Sequence, residues 1–146
     1  NNYIEPDELV NLIEVFWKEK DRFIDDYVQK NPLNLTYRNL NIIKDFKYGM
    51  RKNFLLAVYE KNYTVLNDEG INYMVKGLNE NLDKFIPAEK TPMLIQTAIM
   101  PFNGMIIYDG FISTADMQLS QELVSKAFED YSYGQKIYSL LPKNMN

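Results

Sequence analysis

The sequence predicts one α+β domain spanning residues 1–146, in which N-terminal helices and a C-terminal helix pack on a mostly antiparallel, strongly twisted sheet of about five strands. Three observations lead there. Asn-Gly lies between two apolar runs in Met100-Pro101-Phe102-Asn103-Gly104-Met105-Ile106-Ile107-Tyr108-Asp109-Gly110, the strongest short-range hairpin signal in the chain. Apolar residues recur at helical spacing near both ends. Between them, short runs rich in β-branched and aromatic residues alternate with polar turns.

The first helix is read from Leu9, Leu12, Ile13, Phe16, Trp17, Phe23, Ile24, Tyr27 and Val28, which share one side of a helix over Pro6–Gln29. Pro6 suits a first helical turn, and Asp7 and Glu8 favour its positive end. The polar run Lys18-Glu19-Lys20-Asp21 is a point where it could divide in two. Asn31-Pro32 stops it. Thr36 can cap a second helix, with Leu40, Ile43 and Phe46 on one side and basic residues on the other, ending near Gly49. The helices therefore occupy about residues 6–49, and the sheet about 52–112.

Phe54–Tyr59, Tyr63–Leu66 and Ile71–Val75 read as a meander joined by Glu-Lys-Asn and Asn-Asp-Glu-Gly turns. Leu78–Ile86 reads as a short helix or an ordered connection, and Pro87 and Pro92 bracket a loop. The hairpin follows. A two-residue loop at Asn103 and Gly104, both able to adopt positive φ, sets Phe102 opposite Met105, Met100 opposite Ile107 and Ala98 opposite Asp109. On the other face Pro101 meets Ile106, Ile99 meets Tyr108 and Thr97 meets Gly110. Pro101 falls in a non-hydrogen-bonded pair, so its missing N–H points away from Met105–Ile112, and that side should be an edge or a bulge. Ser113-Thr114-Ala115-Asp116 leads into a helix over about 117–132 carrying Leu119, Leu123, Val124, Ala127, Phe128 and Tyr131, which Tyr133-Gly134 ends. A terminal extended segment follows at about 136–141, before Pro142.

The chain has no cysteine and no histidine. This excludes a disulfide framework, thiolate zinc sites, cysteine nucleophiles, Ser-His-Asp arrangements and an imidazole base. Any chemistry must use carboxylates, lysine, tyrosine, hydroxyls or a hard metal held by oxygens. The glycines are isolated and form no phosphate loop. No cofactor is implied. No apolar run approaches the roughly 20 residues needed to cross a bilayer, and the acidic, Asn-rich start lacks the regions of a signal peptide, so a cytoplasmic location without membrane association is expected.

The net charge of −4 is unevenly spread. From Thr36 to Lys52 the chain carries Arg38, Lys44, Lys47, Arg51 and Lys52 against Asp45 alone, which is +4 and leaves −8 elsewhere. The stretch is a candidate phosphate or partner site; its ordinary explanation is a solvated helix face. Asp109 is the one catalytic candidate: a carboxylate in an apolar hairpin, followed by Gly110, could act as an acid, a base or a magnesium ligand. The simpler reading has it bonding backbone N–H groups at a bulge or turn. Asp25 and Asp26 are adjacent on a helix and point about 100° apart, so they cannot share a proton. Asp21 and Asp25 share a face, but with Lys18, Lys20 and Arg22 nearby they read as a salt-bridged surface. Asp45-Phe46-Lys47 has no second acid at a useful spacing. Tyrosines 37, 48, 59 and 63 near the basic stretch could stack on bases, although aromatics at strand and helix periods more often form core.

Asn31-Pro32, the lysine-containing helix Ile42–Tyr48, the strand Phe54–Tyr59 and the hairpin occur in an order that resembles a family of uncharacterised bacterial proteins. Its members run helix, Asn-Pro, helix and strands into a Leu-Pro-Phe-Lys-Gly-(basic)-Ile-Ile-Tyr-Asp-Gly hairpin, and close on an extended Leu-Pro segment that Leu141-Pro142 matches. Here Asn103 stands where lysine is usual and Met105 where a basic residue is usual. The resemblance implies the order of elements and a bacterial cytosolic origin; it brings no activity and no catalytic residues.

Three function classes follow. The leading expectation is a non-enzymatic interaction or regulatory module with a protein partner. The alternatives are binding of nucleic acid or another polyanion through Arg38, Lys44, Lys47, Arg51 and Lys52, and a carboxylate-dependent hydrolase centred on Asp109.

Overall fold

The computed structural model describes residues 5–77, 82–114 and 118–142. The α+β class is as the sequence predicts, and the chain divides into two compact units, Asn1–Lys47 and Tyr48–Asn146.

The first unit is a helical hairpin of α1, Pro6–Lys30, and α2, Tyr37–Asp45. The run Lys18–Asp21 does not divide α1, because it contains neither Gly nor Pro and its one inward member is satisfied: Lys20 Nζ donates to Lys47 O at 2.5 Å and pairs with Asp21 at 2.8 Å. Asn31 ends α1 with φ of +40°, its N–H donating to Tyr27 O. Its side chain then clasps the loop, Oδ1 accepting from Leu35 N at 2.7 Å and Nδ2 donating to Leu35 O at 3.1 Å. Thr36 caps α2 as its position suggests, Oγ1 accepting from Asn39 N. A single 3-10 turn, Phe46–Tyr48, follows α2.

The second unit contains β1 (Met50–Glu60), β2 (Tyr63–Asp68), β3 (Ile71–Lys76), β4 (Met93–Phe102), β5 (Met105–Tyr108), β6 (Ser113–Thr114), α3 (Gln121–Tyr133) and β7 (Gln135–Ile137). Of the connection read at Leu78–Ile86, residues 78–81 lie outside the described residues; 82–84 form a 3-10 turn. Ala115, Asp116 and the expected helix start at 117 also lie outside them.

Among the described residues the sheet is mixed, with seven strands where about five were expected. β1–β2, β2–β3, β4–β5 and β1–β4 are antiparallel, while β3 runs parallel to β5 through Val75↔Ile106 and Lys76↔Ile107. Followed from neighbour to neighbour, β1-β2-β3-β5-β4 returns to β1. The sheet closes on itself. This ring of five strands is a Greek-key barrel of the OB type, with the short β6 extending along β4 and β7 along β3.

Closure depends on β1, whose 11 residues serve two partners: Met50–Leu56 pair with β4, and Leu55–Glu60 pair with β2. A shift in register between Leu56 and Val58 marks the bulge that bends the strand from one partner to the other. Inward residues alternate as the pairings require. Phe54 faces Ile95, Leu56 faces Leu66, Leu66 faces Tyr73 and Val75 faces Ile106, all in one buried cluster with Ile99, Leu82 and Ile86. Tyr59 closes this core by donating its hydroxyl to Ile86 O at 2.6 Å; burial, with the Asp83 carboxylate and Tyr108 adding to it, pushes its pKa up to about 12.

The Asn-Gly hairpin has the register read from sequence, with Ile99↔Tyr108, Met100↔Ile107, Pro101↔Ile106 and Phe102↔Met105. Asn103 and Gly104 have φ of +50° and +77°, the positive values a two-residue turn of this hand requires. Pro101 also lies as expected: the β1 pairing ends at Ile99↔Met50, so β4 carries no partner on that side at Pro101.

Candidate functional site

Barrels of the OB type bind chain-like ligands on the outer face of strands 2 and 3. Here that face belongs to Val65 and Asn67 of β2 and Asn72 and Met74 of β3, and α3 lies over it. Ala127 is the buried contact of α3, with Val124 and Tyr131 half-buried beside it at helical spacing. The end of the helix is clamped. Asn67 and Asn72 are a cross-strand pair, and Asn67 Nδ2 donates to Asn72 Oδ1 at 3.0 Å. Asn72 Nδ2 in turn donates to two carbonyls of the last helical turn, Asp130 O at 3.0 Å and Tyr131 O at 3.4 Å, the first of which also accepts from Gly134 N at 2.7 Å. Asn72 is completely buried, so this network ties α3 to the barrel with every donor named here engaged.

Two further features hold the helix there. A Cβ at Gly134 would meet Gly70 O and Asp130 O well inside van der Waals contact, so glycine alone lets the chain pass the β2–β3 turn. At the β1–β2 turn, Glu60 Oε2 accepts from the Tyr131 hydroxyl at 2.5 Å and from Lys136 Nζ at 2.8 Å. The Lys136 and Tyr131 hydrogen bonds hold the Glu60 carboxyl below its ordinary range, and the same carboxylate raises both Lys136 and Tyr131. The solvent side of α3 presents Glu122, Glu129 and a Lys126–Asp130 pair at 3.0 Å, a surface unsuited to phosphates. The loops flanking the face are two-residue turns at Lys61-Asn62 and Asn103-Gly104 and offer no arms to grip a strand.

Asp109 sits where β5 leaves the ladder. Its N–H donates to Ala98 O at 3.1 Å, which preserves the expected row, but the next pair is Gln96↔Ser113, so the strand carries extra residues and bulges, and the expected pairing of Thr97 with Gly110 is not formed. Asp109 Oδ1 accepts from Phe111 N at 2.9 Å across Gly110, whose φ is +88°. Arg51 occupies the same row on the far side of buried Ala98, and its Nη1 donates to Phe111 O at 3.2 Å. The carboxylate and the guanidinium both fasten the bulge. Among the described residues no group of three acidic side chains could hold a metal ion.

The basic residues of 38–52 are divided between the two units. Arg38 and Lys44 lie on α2, Lys44 beside the Tyr37 ring at 5.9 Å, and Lys47 pairs with Asp25 of α1. In the second unit Arg51 and Lys52 are consecutive on β1 and so face opposite sides. Lys52 pairs with Asp68 at 3.0 Å, and that hydrogen bond raises its pKa.

The apolar side of α1 divides in two. The side carrying Ile13, Trp17, Ile24 and Tyr27 is buried or half-buried, whereas Leu9, Leu12, Phe16 and Phe23, on a neighbouring line of the same helix, are 38–55% exposed. Phe16 and Phe23 stack with ring centroids 6.2 Å apart, and Arg22 lies 4.7 Å over the Phe23 ring. Val10 and Val15 add exposed apolar surface. The signal was present in the sequence as a helix apolar over more of its circumference than one packed side needs.

No helix among the described residues is long and apolar enough to cross a membrane. No family model, no curated protein and no solved structure matches the chain.

Proposed function

We propose that this chain is a non-enzymatic protein-interaction module. The barrel is its platform, and the helical hairpin carries its docking surface. The exposed apolar line Leu9–Leu12–Phe16–Phe23 on α1 carries this reading, because a contiguous apolar patch of that kind on a soluble chain marks an interaction site. The covered outer face of β2 and β3 supports it by removing the surface on which an OB-type barrel would hold an oligonucleotide. The structural employment of Asp109 and Arg51 at the bulge weighs against a hydrolase there. We read the protein as cytosolic and bacterial, of the family whose Tyr-Asp-Gly hairpin it resembles.

The test is site-specific photo-crosslinking in cells, with the photoreactive residue at Leu12 or, as control, at exposed Gln29 on the polar side of α1. Discrete protein adducts are expected from Leu12 and not from Gln29. No adduct from Leu12, or equal adducts from both, would overturn the reading. Nucleic-acid adducts would replace it with polyanion binding through Arg38, Lys44, Lys47, Arg51 and Lys52.

A further inference from the structure

We infer that the partner of the α1 line is a second copy of this chain, docked antiparallel so that two helical hairpins form a four-helix arrangement. The inference rests on the interaction reading above and names its partner. Leu9, Leu12, Phe16, Glu19 and Phe23 follow a 3-4-3-4 spacing, the seam that one helix offers another. The α2 side of α1 is a separate line of residues through Ile13, Trp17, Lys20, Ile24 and Tyr27, roughly a quarter-turn away. A partner on the exposed seam leaves that packing intact.

Charge selects the direction. Residues 5–14 carry Glu5, Asp7, Glu8 and Glu14 with no base, while 18–30 balance four acids with four bases. A parallel pair would set the acidic halves together; an antiparallel pair sets each against a neutral half. With the two-fold between Val15 and Phe16, Phe16 packs beside its own copy, Leu9 lies within one residue of the level of Phe23, and the flanking Glu8 within one residue of the level of Arg22, twice by symmetry. Val15 meets its own copy. Glu19 alone opposes an apolar residue, Leu12, and tempers affinity. The exposed parts of Leu9, Leu12, Val15, Phe16 and Phe23 supply roughly 400 Å² of apolar surface per copy, and with flanking stems the pair buries about 1,000 Å², the lower bound of a specific interface.

Sedimentation velocity on the full chain across about 1–100 μM covers the affinity such an interface gives. A reversible dimer of the 17.2 kDa chain is expected. Phe16→Asp should abolish it with the circular dichroism spectrum unchanged, and Glu19→Leu should tighten it at least 10-fold. The second variant cannot mislead through misfolding. Glu8→Arg or Arg22→Glu alone should weaken the dimer, and the two together should restore it.

The chain has no cysteine, so single thiols report direction. Val15→Cys should oxidise rapidly to a covalent dimer, whereas Leu9→Cys, about 20 Å from its copy in an antiparallel pair at 1.5 Å rise per residue, should not. A monomer at every concentration overturns the inference, as does a dimer insensitive to Phe16→Asp and Glu19→Leu. Rapid oxidation of Leu9→Cys overturns the antiparallel direction. If the chain is monomeric while Leu12 still crosslinks to another protein, the interaction reading survives and this inference fails; if neither occurs, both fail.

Discussion

Replacing Gly134 by alanine tests the clamp that seats α3 on the barrel. The added Cβ would collide with two backbone carbonyls, Gly70 O and Asp130 O, and come within 3.0 Å of Asn72 Nδ2, so no side-chain rotation relieves it. Overpacking of this kind costs about 1–3 kcal/mol. Moving the helix end off the β2–β3 turn also breaks the Asn72 hydrogen bonds and leaves a fully buried amide unsatisfied, a further ~1–3 kcal/mol. Their sum, about 4 kcal/mol, corresponds to a fall of roughly 12 °C in Tm for a chain of this length. Urea unfolding followed by near-UV circular dichroism reads it. Ser132→Ala, exposed and two residues earlier, is the control and should stay within about 0.5 kcal/mol of the parent. A Gly134→Ala protein within about 1 kcal/mol of the parent would refute the argument, because the helix would then be free to shift without cost.

Other outcomes follow from single groups. Thr97 is completely buried and its hydroxyl has no hydrogen-bond partner among the described residues, so Thr97→Val should stabilise by about 1 kcal/mol in the same urea assay. Glu60 titrates below its unfolded value, so the folded state binds fewer protons than the unfolded one just below the ordinary glutamate range. Its stabilisation is therefore present above that range and lost as pH falls through the folded pKa. Glu60→Gln should cost under about 1 kcal/mol at neutral pH, since the pair is partly exposed and screened by solvent, and its stability curve should converge with the parent's as pH drops below about 4. Asp109→Ala should cost about 1 kcal/mol through loss of the Phe111 N–H bond, and Asp109→Asn, which keeps an acceptor oxygen, should recover most of it. A hydrolase centred on Asp109 would instead lose its activity with either change.

Legibility in the sequence tracked the range of the interactions. The Asn103-Gly104 hairpin was readable in its residue pairs from the turn as far as Ile99↔Tyr108, because turn chemistry and apolar alternation are both local; the bulge beyond was not. The Thr36 cap and the stop at Asn31-Pro32 were legible for the same reason. Closure of the sheet was not. It depends on β1 pairing with β4 about 40 residues on and on the parallel contact of Val75 with Ile106, which no neighbouring residues announce.

At Asp109 the sequence showed a carboxylate and a glycine, the ingredients of a site and of a bulge alike. The Phe111 N–H and the two extra residues before Ser113 distinguish them. In the basic run the sequence showed charge but not its partners: Lys47 meets Asp25 and Lys52 meets Asp68, each outside the run. The polar pair Asn67 and Asn72, set among Val65, Leu66, Tyr73 and Met74, was a missed signal, since a buried amide in an apolar strand requires a partner.

In the proposed function the helical hairpin makes the protein contacts, while helix α3 closes the barrel face an oligonucleotide would use. Fluorescence anisotropy of short single-stranded DNA and RNA, titrated with the full chain at about 0.15 M salt where surface charges are screened beyond roughly 8 Å, tests it directly. No saturable binding of either strand is expected. Saturable micromolar binding that survives this salt, and that strengthens when Gly134→Ala loosens α3, would show an open strand-binding face and contradict it.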